Sequence, residues 1–549
     1  MSPRSRQALM CGVAVGVLLL SAYLAVRLAT TLTSVYVIPA AIVAALLLAA
    51  EAFVAVQTLG YFASLVKATR HRDPAATTMF SRCTFPAAPV AVLVTSFNES
   101  EEVLDETLAS VRAMDYAAVS LYLVDDSTRD ATQAASARLA ERYGARLVHR
   151  TNRPGYKAGA INDLIPALTE PYIAVLDADQ RPAHSWLREV VPMLEADPRL
   201  AFVQAPQVSV NTAGLPVARA AAHQQAVFYE YICEGKDASN AMFCCGSNVV
   251  LRREALLSIE VCVDGRRHFM DETSVTEDFA TSFRLHAHGW RSSYVNRTYV
   301  VGMAPETLAA YFTQQARWAM GTLGMLLVML RQLAHNPRAL RPGQWSEYLL
   351  SGMHYLVGGV NLIFMSTAIG FLLFDLMPVR MDPHLYVALF VPYFVISMGL
   401  FFGPMKRRGY PLGGLWLGTV LTFGSFWVFI KATGVALLGL KRAFGVTPKA
   451  VGGSLPLRSL APQVVMFVLC SAAAAVGLAQ IVTGRAGMAH FVTTGWAMYH
   501  AALLGTLLVY FNRPVTIRVR PAIIERVNAA SPRRGRVPDN LKGGRCACI

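Results

Sequence analysis

The stretch YIAVLDAD, Tyr172 to Asp179, decides the fold. Its apolar run Tyr172 to Leu176 has strand character and ends in Asp177-Ala178-Asp179. Two runs before it share that design. Pro89 to Thr95 (PVAVLVT) closes in Ser96-Phe97-Asn98-Glu99, and Leu121 to Val124 (LYLV) closes in Asp125-Asp126-Ser127. Between these two, Leu104 to Met114 carries apolar residues at helical spacing. Strand, helix and strand with acidic residues at the strand ends predict a doubly wound α/β sheet, in which ligands bind beyond the carboxyl ends of the strands.

The rest of the chain surrounds that sheet with membrane. Over 549 residues, 54% are hydrophobic and the formal charge is +15, with a mean hydropathy of +0.40. These values describe a polytopic membrane protein with basic faces. A nucleic-acid binder would gather its basic residues on a soluble domain, whereas here many flank apolar runs, so no nucleic-acid partner is expected. The runs cover residues 8–26, 30–62, 348–374, 385–405, 412–430, 464–482 and 491–511, each about the ~20 residues that a hydrocarbon core demands. A second run follows the first at once, which makes the first a span and not a cleaved signal. Lys67, Arg70, Arg72, Lys406, Arg407, Arg408, Lys441, Arg442, Lys449 and the tail from Arg513 all favour the cytoplasm. Seven spans would put the Lys441–Lys449 loop and the tail outside. An interfacial or re-entrant segment over 412–440, containing Lys431, removes the conflict and leaves six. The expected organisation is two N-terminal spans (8–62), a cytoplasmic catalytic domain (70–340), a C-terminal membrane region (346–512) and a basic tail (513–549). Glu51 reads as a group snorkelling to the cytoplasmic interface. The nine cysteines show neither disulfide nor zinc spacing, and Cys546-Ala547-Cys548-Ile549 reads as part of a disordered end.

Each acidic cluster has an ordinary reading. Asp-Asp-Ser after a strand is a common turn or helix cap, and Glu277-Asp278 suits the start of the helix expected over 279–288. Together they match a chemistry. Asp177 and Asp179 offer hard oxygens to a divalent cation that holds a diphosphate. Asp125 or Asp126 can accept from a nucleobase imide, Lys157 adds charge toward phosphate, and Asp278 can serve as general base.

In order, Phe97-Asn98-Glu99, Asp125-Asp126-Ser127, Lys157-Ala158-Gly159-Ala160, Asp177-Ala178-Asp179, Gln204-Ala205-Pro206-Gln207 with Asn211, Phe243-Cys244-Cys245-Gly246-Ser247, Thr276-Glu277-Asp278 and Gln314-Gln315-Ala316-Arg317-Trp318 resemble the processive family 2 glycosyltransferases, bacterial cellulose synthase catalytic subunits above all. Phe444-Gly445-Val446-Thr447-Pro448-Lys449 resembles that family's gating loop. The resemblance implies a GT-A domain set among about six transmembrane helices and interfacial helices. It further implies an inverting, processive transfer of glucose from UDP-glucose into a cellulose-like, curdlan or mixed-linkage β-glucan, secreted through the protein's own channel. It assigns Asp278 and Glu277 to catalysis, and Asn98, Glu99, Asp125, Asp126, Lys157, Asp177, Gln314, Arg317, Thr447 and Lys449 to the donor. Trp318, Cys245, Gly246 and Ser247 fall to the acceptor, and Asp177 and Asp179 to Mg²⁺ or Mn²⁺. Arg317 and Gln314 would hold the departing diphosphate and Trp318 would stack on the acceptor sugar.

Two departures mark this chain: Ser96-Phe97-Asn98-Glu99 stands for the usual Tyr-Asn-Glu, and Cys244-Cys245 for the usual Phe-Cys. No C-terminal cyclic di-GMP-binding domain is expected after residue 511. The implied setting is the cell's inner membrane, with a periplasmic or envelope partner subunit. Synthases of hyaluronan, chitin or poly-N-acetylglucosamine, and non-processive lipid-linked sugar transferases, are the neighbouring readings. A transporter has no need of the acidic motifs.

Overall fold

The computed structural model describes residues 3–71, 87–263, 265–440 and 453–514. Its centre is a seven-stranded sheet built from β1 (Val90–Ser96), β2 (Val119–Asp125), β3 (Arg146–His149), β4 (Tyr172–Asp177), β5 (Leu200–Gln204), β6 (Val249–Arg252) and β7 (Arg291–Tyr294), in the order β7-β5-β6-β4-β1-β2-β3. β1 pairs in parallel with both β2 and β4. The doubly wound expectation holds with one addition: β6 runs antiparallel to β4 and β5. Alternate residues of β1 feed two cores. Val90, Val92 and Val94 pack with Leu104 and Leu108, while Ala91 and Leu93 pack with Ile161 and Leu164. Burial on both faces is why these strands read as continuous apolar runs. The first crossover helix, Glu101–Arg112, starts where Ser100 Oγ accepts from Val103 N (3.4 Å), with Glu101 and Glu102 in its first turn.

Among the described residues, six helices are long and apolar enough to cross a membrane: Pro3–Thr33, Ile38–Ala68, Pro342–Phe374, Pro383–Arg407, Leu457–Val482 and Met488–Phe511. The segment expected at the interface forms a bent pair, Leu412–Gly424 and Phe426–Leu437, angled by 46°. It lies against the helix Pro216–Val227, where a Cβ added to Gly418 would come within 3.2 Å of Ala220 O. Glu51 corrects the sequence reading. It sits near the middle of Ile38–Ala68, accepting from Tyr23 Oη (2.7 Å) and Arg27 Nε (3.1 Å). A fully buried Arg27 holds it inside the helix pair.

The sheet domain is tied to this bundle through one helical run that sequence periodicity did not reveal. It comprises Pro216–Val227, a π turn over Phe228–Ile232 and Cys233–Ala238. Lys236 Nζ donates to Glu347 Oε2 (3.2 Å), and Lys67 Nζ reaches Glu347 Oε1 (2.7 Å). Glu230 of the π turn and Glu234 of the following helix take Arg408, with Glu234 Oε2 at 2.7 Å from Nη2 and Glu230 Oε2 at 2.5 Å from Nη1. Asn296 Nδ2 donates to both carboxylates (3.0 and 2.8 Å), and the guanidinium lies 3.8 Å over the Tyr231 ring. Removing one member of a desolvated cluster leaves uncompensated charge. Arg408→Met is expected to cost ~3 kcal/mol or more, read as denaturant unfolding in detergent, and pairing it with Glu234→Gln should restore part of the loss. A cost below ~0.5 kcal/mol would show that water replaces the guanidinium freely.

Candidate active site

At the carboxyl ends of β1 and β4, where strand order reverses, lies a cleft of about 790 Å³. Register builds it: Ser96 pairs with Asp125 and Thr95 with Asp177, so the acidic strand ends meet at one edge. Glu99, Asp126, Lys157, Asp177, Asp179, Cys245, Gly246, Glu277, Asp278, Gln314, Arg317 and Trp318 all line it.

Glu277 and Asp278 open the helix Glu277–Ala287. Burial among the cleft walls and then the neighbouring Glu277 carboxylate push Asp278 up to about 7, while the Phe279 N–H, Lys157 and Arg317 pull the other way. Glu277 is raised too, chiefly by burial. Lys157 Nζ donates to Asp177 Oδ1 and to Gly246 O (2.6 Å). Burial works against its charge, but Asp177 and Glu277 more than offset that and hold the ammonium above its ordinary value. Burial raises the Cys244 and Cys245 thiols, so both stay protonated.

Three assigned residues do not line the cleft. Asp125, 1% exposed, is occupied by Ser127, whose Oγ donates to Oδ1 at 2.6 Å. Asn98 adopts φ +52°, and its Oδ1 accepts from the N–H groups of Thr128 (3.0 Å) and Arg129 (3.2 Å), stitching the β1 and β2 loops. Ser247 is fully buried and its Oγ accepts from Asp177 N (2.9 Å), fixing the strand end that carries the carboxylate. In all three the side-chain oxygen is engaged locally, as short polar side chains beside backbone N–H groups tend to be. Asp126 remains on the wall, gripped by Arg150 through Nε–Oδ1 (2.8 Å) and Nη2–Oδ2 (2.5 Å). Sequence reading passed over Arg150 and Arg153, although both fall in the polar turn just before Lys157.

Gln314, Arg317 and Trp318 project from the helix Leu308–His335, capped by Thr307 Oγ1 accepting from Ala310 N (3.2 Å). That helix approaches the Glu277-Asp278 turn closely: a Cβ on Gly321 would stand 2.5 Å from Thr276 Cγ2. Leu440, after the bent pair, also reaches the cleft. Phe444 to Lys449, including Thr447 and Lys449, and the tail from residue 515 lie outside the described residues. Among the described residues all six cysteines are free thiols, and no group of three His, Cys, Asp or Glu side chains is arranged for a metal.

The cleft thus brings together acidic strand ends, a buried acid pair and cations, in a chain that also has helices long and apolar enough to cross a membrane. Residues 86–321 match the family model "Glycosyltransferase like family 2" and residues 269–404 the model "Cellulose synthase". These two stretches are thus similar to family 2 glycosyltransferases and to cellulose synthases. It is 27% identical over 461 residues to the cellulose synthase catalytic subunit [UDP-forming] of Pseudomonas fluorescens (strain SBW25), covering 81% of this chain and 58% of that protein. It is 30% identical over 286 residues to the Xanthomonas axonopodis pv. citri (strain 306) subunit of the same description, covering 50% and 36%. This chain thus spans little more than half of the first relative's length and about a third of the second's. Among solved structures, a mannosyltransferase from Pyrobaculum calidifontis in complex with GDP-Man and Mn²⁺ is 18% identical, covers 73% of this chain and 100% of its own, and has a TM-score of 0.48.

Proposed function

We propose that the protein is a processive, inverting β-glycosyltransferase that polymerises glucose from UDP-glucose and passes the β-glucan through its own membrane helices. The observation that carries this reading is the meeting of a base candidate, two cations and an indole at one cleft between the sheet and the helix Leu308–His335. Asp278 takes the proton of the acceptor hydroxyl. The acceptor oxygen attacks the donor's anomeric carbon, the bond from that carbon to the diphosphate breaks, and UDP departs with inversion. Lys157 and Arg317 offset the charge that gathers on the diphosphate, while Trp318 gives the acceptor a flat face that fixes its hydroxyl for attack.

Asp179 and Asp177 would hold Mg²⁺ or Mn²⁺. Both line the cleft, and although Lys157 takes Asp177 Oδ1, the remaining carboxylate oxygens suit a hard cation that arrives with its substrate, because such ions need only one or two carboxylates when phosphates and water supply the other oxygens. Bound there, the ion neutralises diphosphate charge. Lys67 and Arg408, at the ends of two membrane helices, reach Ser239 and Glu234 in and beside the helical run that joins the sheet domain to the bundle. That placement supports a cytoplasmic catalytic domain in a plasma (inner) membrane by the positive-inside rule. An envelope partner subunit would receive the polymer outside.

The test is incorporation of labelled UDP-glucose into insoluble material by the protein in lipid with Mg²⁺ or Mn²⁺, then digestion with β-1,4- and β-1,3-specific glucanases. Glucanase-sensitive product is expected. Incorporation from UDP-N-acetylglucosamine alone would overturn the choice of sugar, and soluble single-sugar product would overturn processivity.

The same assay has a predictable pH profile. A base raised to about 7 is half protonated there, so kcat/KM should climb between pH 6 and 8 and level off above. The Glu277 carboxylate is part of the cause, so Glu277→Gln should move the inflection to lower pH. An inflection that stays put would detach the profile from this pair.

A further inference from the structure

Glu272 lines the cleft, yet the proposed chemistry gives it no part. Its side chain is only 7% exposed, and both carboxylate oxygens are engaged. Oε1 accepts from Asn162 Nδ2 (2.8 Å) and Oε2 from Arg266 Nη1 (2.7 Å), while His268 Nδ1 lies 3.3 Å from Oε1. A buried carboxylate with this many partners is a strut and not a proton carrier.

What it supports is the turn that leads to Lys157. Glu272 Oε2 lies against the bare α-carbon of Gly155, where an added Cβ would collide with it. Gly155 caps the helix Tyr156–Leu164, whose second residue is Lys157. The partners of Glu272 hold the rest of that helix. Asn162 Oδ1 accepts from the N–H groups of Phe269 (3.1 Å) and Met270 (2.7 Å), and Arg266 Nη2 donates to Gly159 O (3.2 Å) and Asp163 Oδ1 (2.7 Å). On its other side the turn is gripped by Arg150, which donates from Nη1 to Pro154 O (3.2 Å) and from Nη2 to Tyr156 O (2.7 Å). Tyr156 between these clamps has φ +48°, a left-handed conformation that persists in a tyrosine only where its surroundings enforce it. Lys157 Nζ is tied at its far end to Asp177 and to Gly246 O. The position of its backbone therefore decides whether the ammonium keeps those partners and still faces the donor.

We infer that Glu272 is a positioning residue, bracing the Gly155–Tyr156 turn so that Lys157 stays aimed at the donor's diphosphate. The inference rests on the proposed nucleotide-sugar reading, which the wild-type incorporation assay decides separately. Glu272 acts through Lys157 and has no contact of its own with the reacting atoms.

The experiment is a double-mutant cycle in the full-length protein in lipid with Mg²⁺, read by kcat/KM for UDP-glucose and by calorimetric titration with inorganic pyrophosphate. Glu272→Gln keeps the shape of the side chain but sets an amide N–H group or an uncharged oxygen against the Arg266 guanidinium. It is expected to lower kcat/KM by about 10²-fold, the scale for a charged group displaced by about 1 Å, and to weaken pyrophosphate in the same direction. Added to Lys157→Met, the same change should cost no more than about twofold further in either readout, because residues that act as a unit are not additive. Arg266→Met reaches the turn from the surface and should show the same dependence on Lys157, which keeps the test open if the buried variant does not fold. Pyrophosphate reports on the diphosphate site whatever sugar the donor carries, so a wrong choice of sugar leaves this test standing. Losses that multiply in full in the double variant would make Glu272 a brace for the fold alone, and unchanged turnover and pyrophosphate affinity in Glu272→Gln would detach it from Lys157; either overturns the inference.

Discussion

Asp278→Asn is expected to lower polymer formation by about 10³-fold or more while leaving membrane insertion and UDP binding intact, since positioned general bases contribute ~10²–10⁴-fold. The substitution isolates the proton-accepting role. Asparagine has the shape of aspartate, and its amide oxygen can still accept from Phe279 N as Asp278 Oδ1 does at 2.8 Å. What disappears is the basic site. Glu277 shares the first helical turn, but successive residues of a helix point about 100° apart, so it cannot take up the same position relative to the acceptor. Loss of turnover should therefore persist at high pH, where a merely shifted base would recover. Product within tenfold of wild type at any pH would remove Asp278 from the chemistry.

The acid pair at a helix start was legible because consecutive acids before an apolar helical pattern are visible in one dimension. The same holds for the parallel strands and the membrane helices, whose hydrophobic runs declare them. What stayed hidden depends on partners far apart in sequence. Nothing in the run around Glu51 announces Arg27, which the sequence reading placed just beyond the first apolar run. Nothing around Asp125 shows that Ser127 consumes it while Asp126 faces the cleft; that choice follows from strand alternation at a loop, where a shift of one residue reverses the face. The antiparallel β6 follows a helical run containing a π turn, an irregularity that blurs the 3.6-residue period. Arg150 and Arg153 sat in plain view, yet a basic turn before a lysine motif reads as solvent-exposed until Asp126 and Phe97 are placed beneath it.

Gly246→Ala should lower kcat by about 10²-fold, the scale expected when a catalytic group is displaced by about 1 Å. Two effects meet at this residue. Its φ of +79° is a conformation in which a side chain is strained, worth ~1 kcal/mol in an otherwise open turn. An added Cβ would also stand 3.0 Å from Asp278 Oδ2, tight enough to push the carboxylate from its place. The Gly246 carbonyl meanwhile accepts from Lys157 at 2.6 Å, so a twist of this peptide moves the ammonium as well as the base. Gly289 separates the two effects. It has φ +85° with nothing within 4 Å of an added Cβ, so Gly289→Ala carries the backbone strain alone. Turnover near wild type in Gly289→Ala beside a 10²-fold loss in Gly246→Ala, at equal membrane insertion, would locate the damage at Asp278 and Lys157. Equal losses in both would reduce Gly246 to a folding requirement, and the acid pair would then have to be held in place by the Thr276–Gly321 contact with the Leu308–His335 helix.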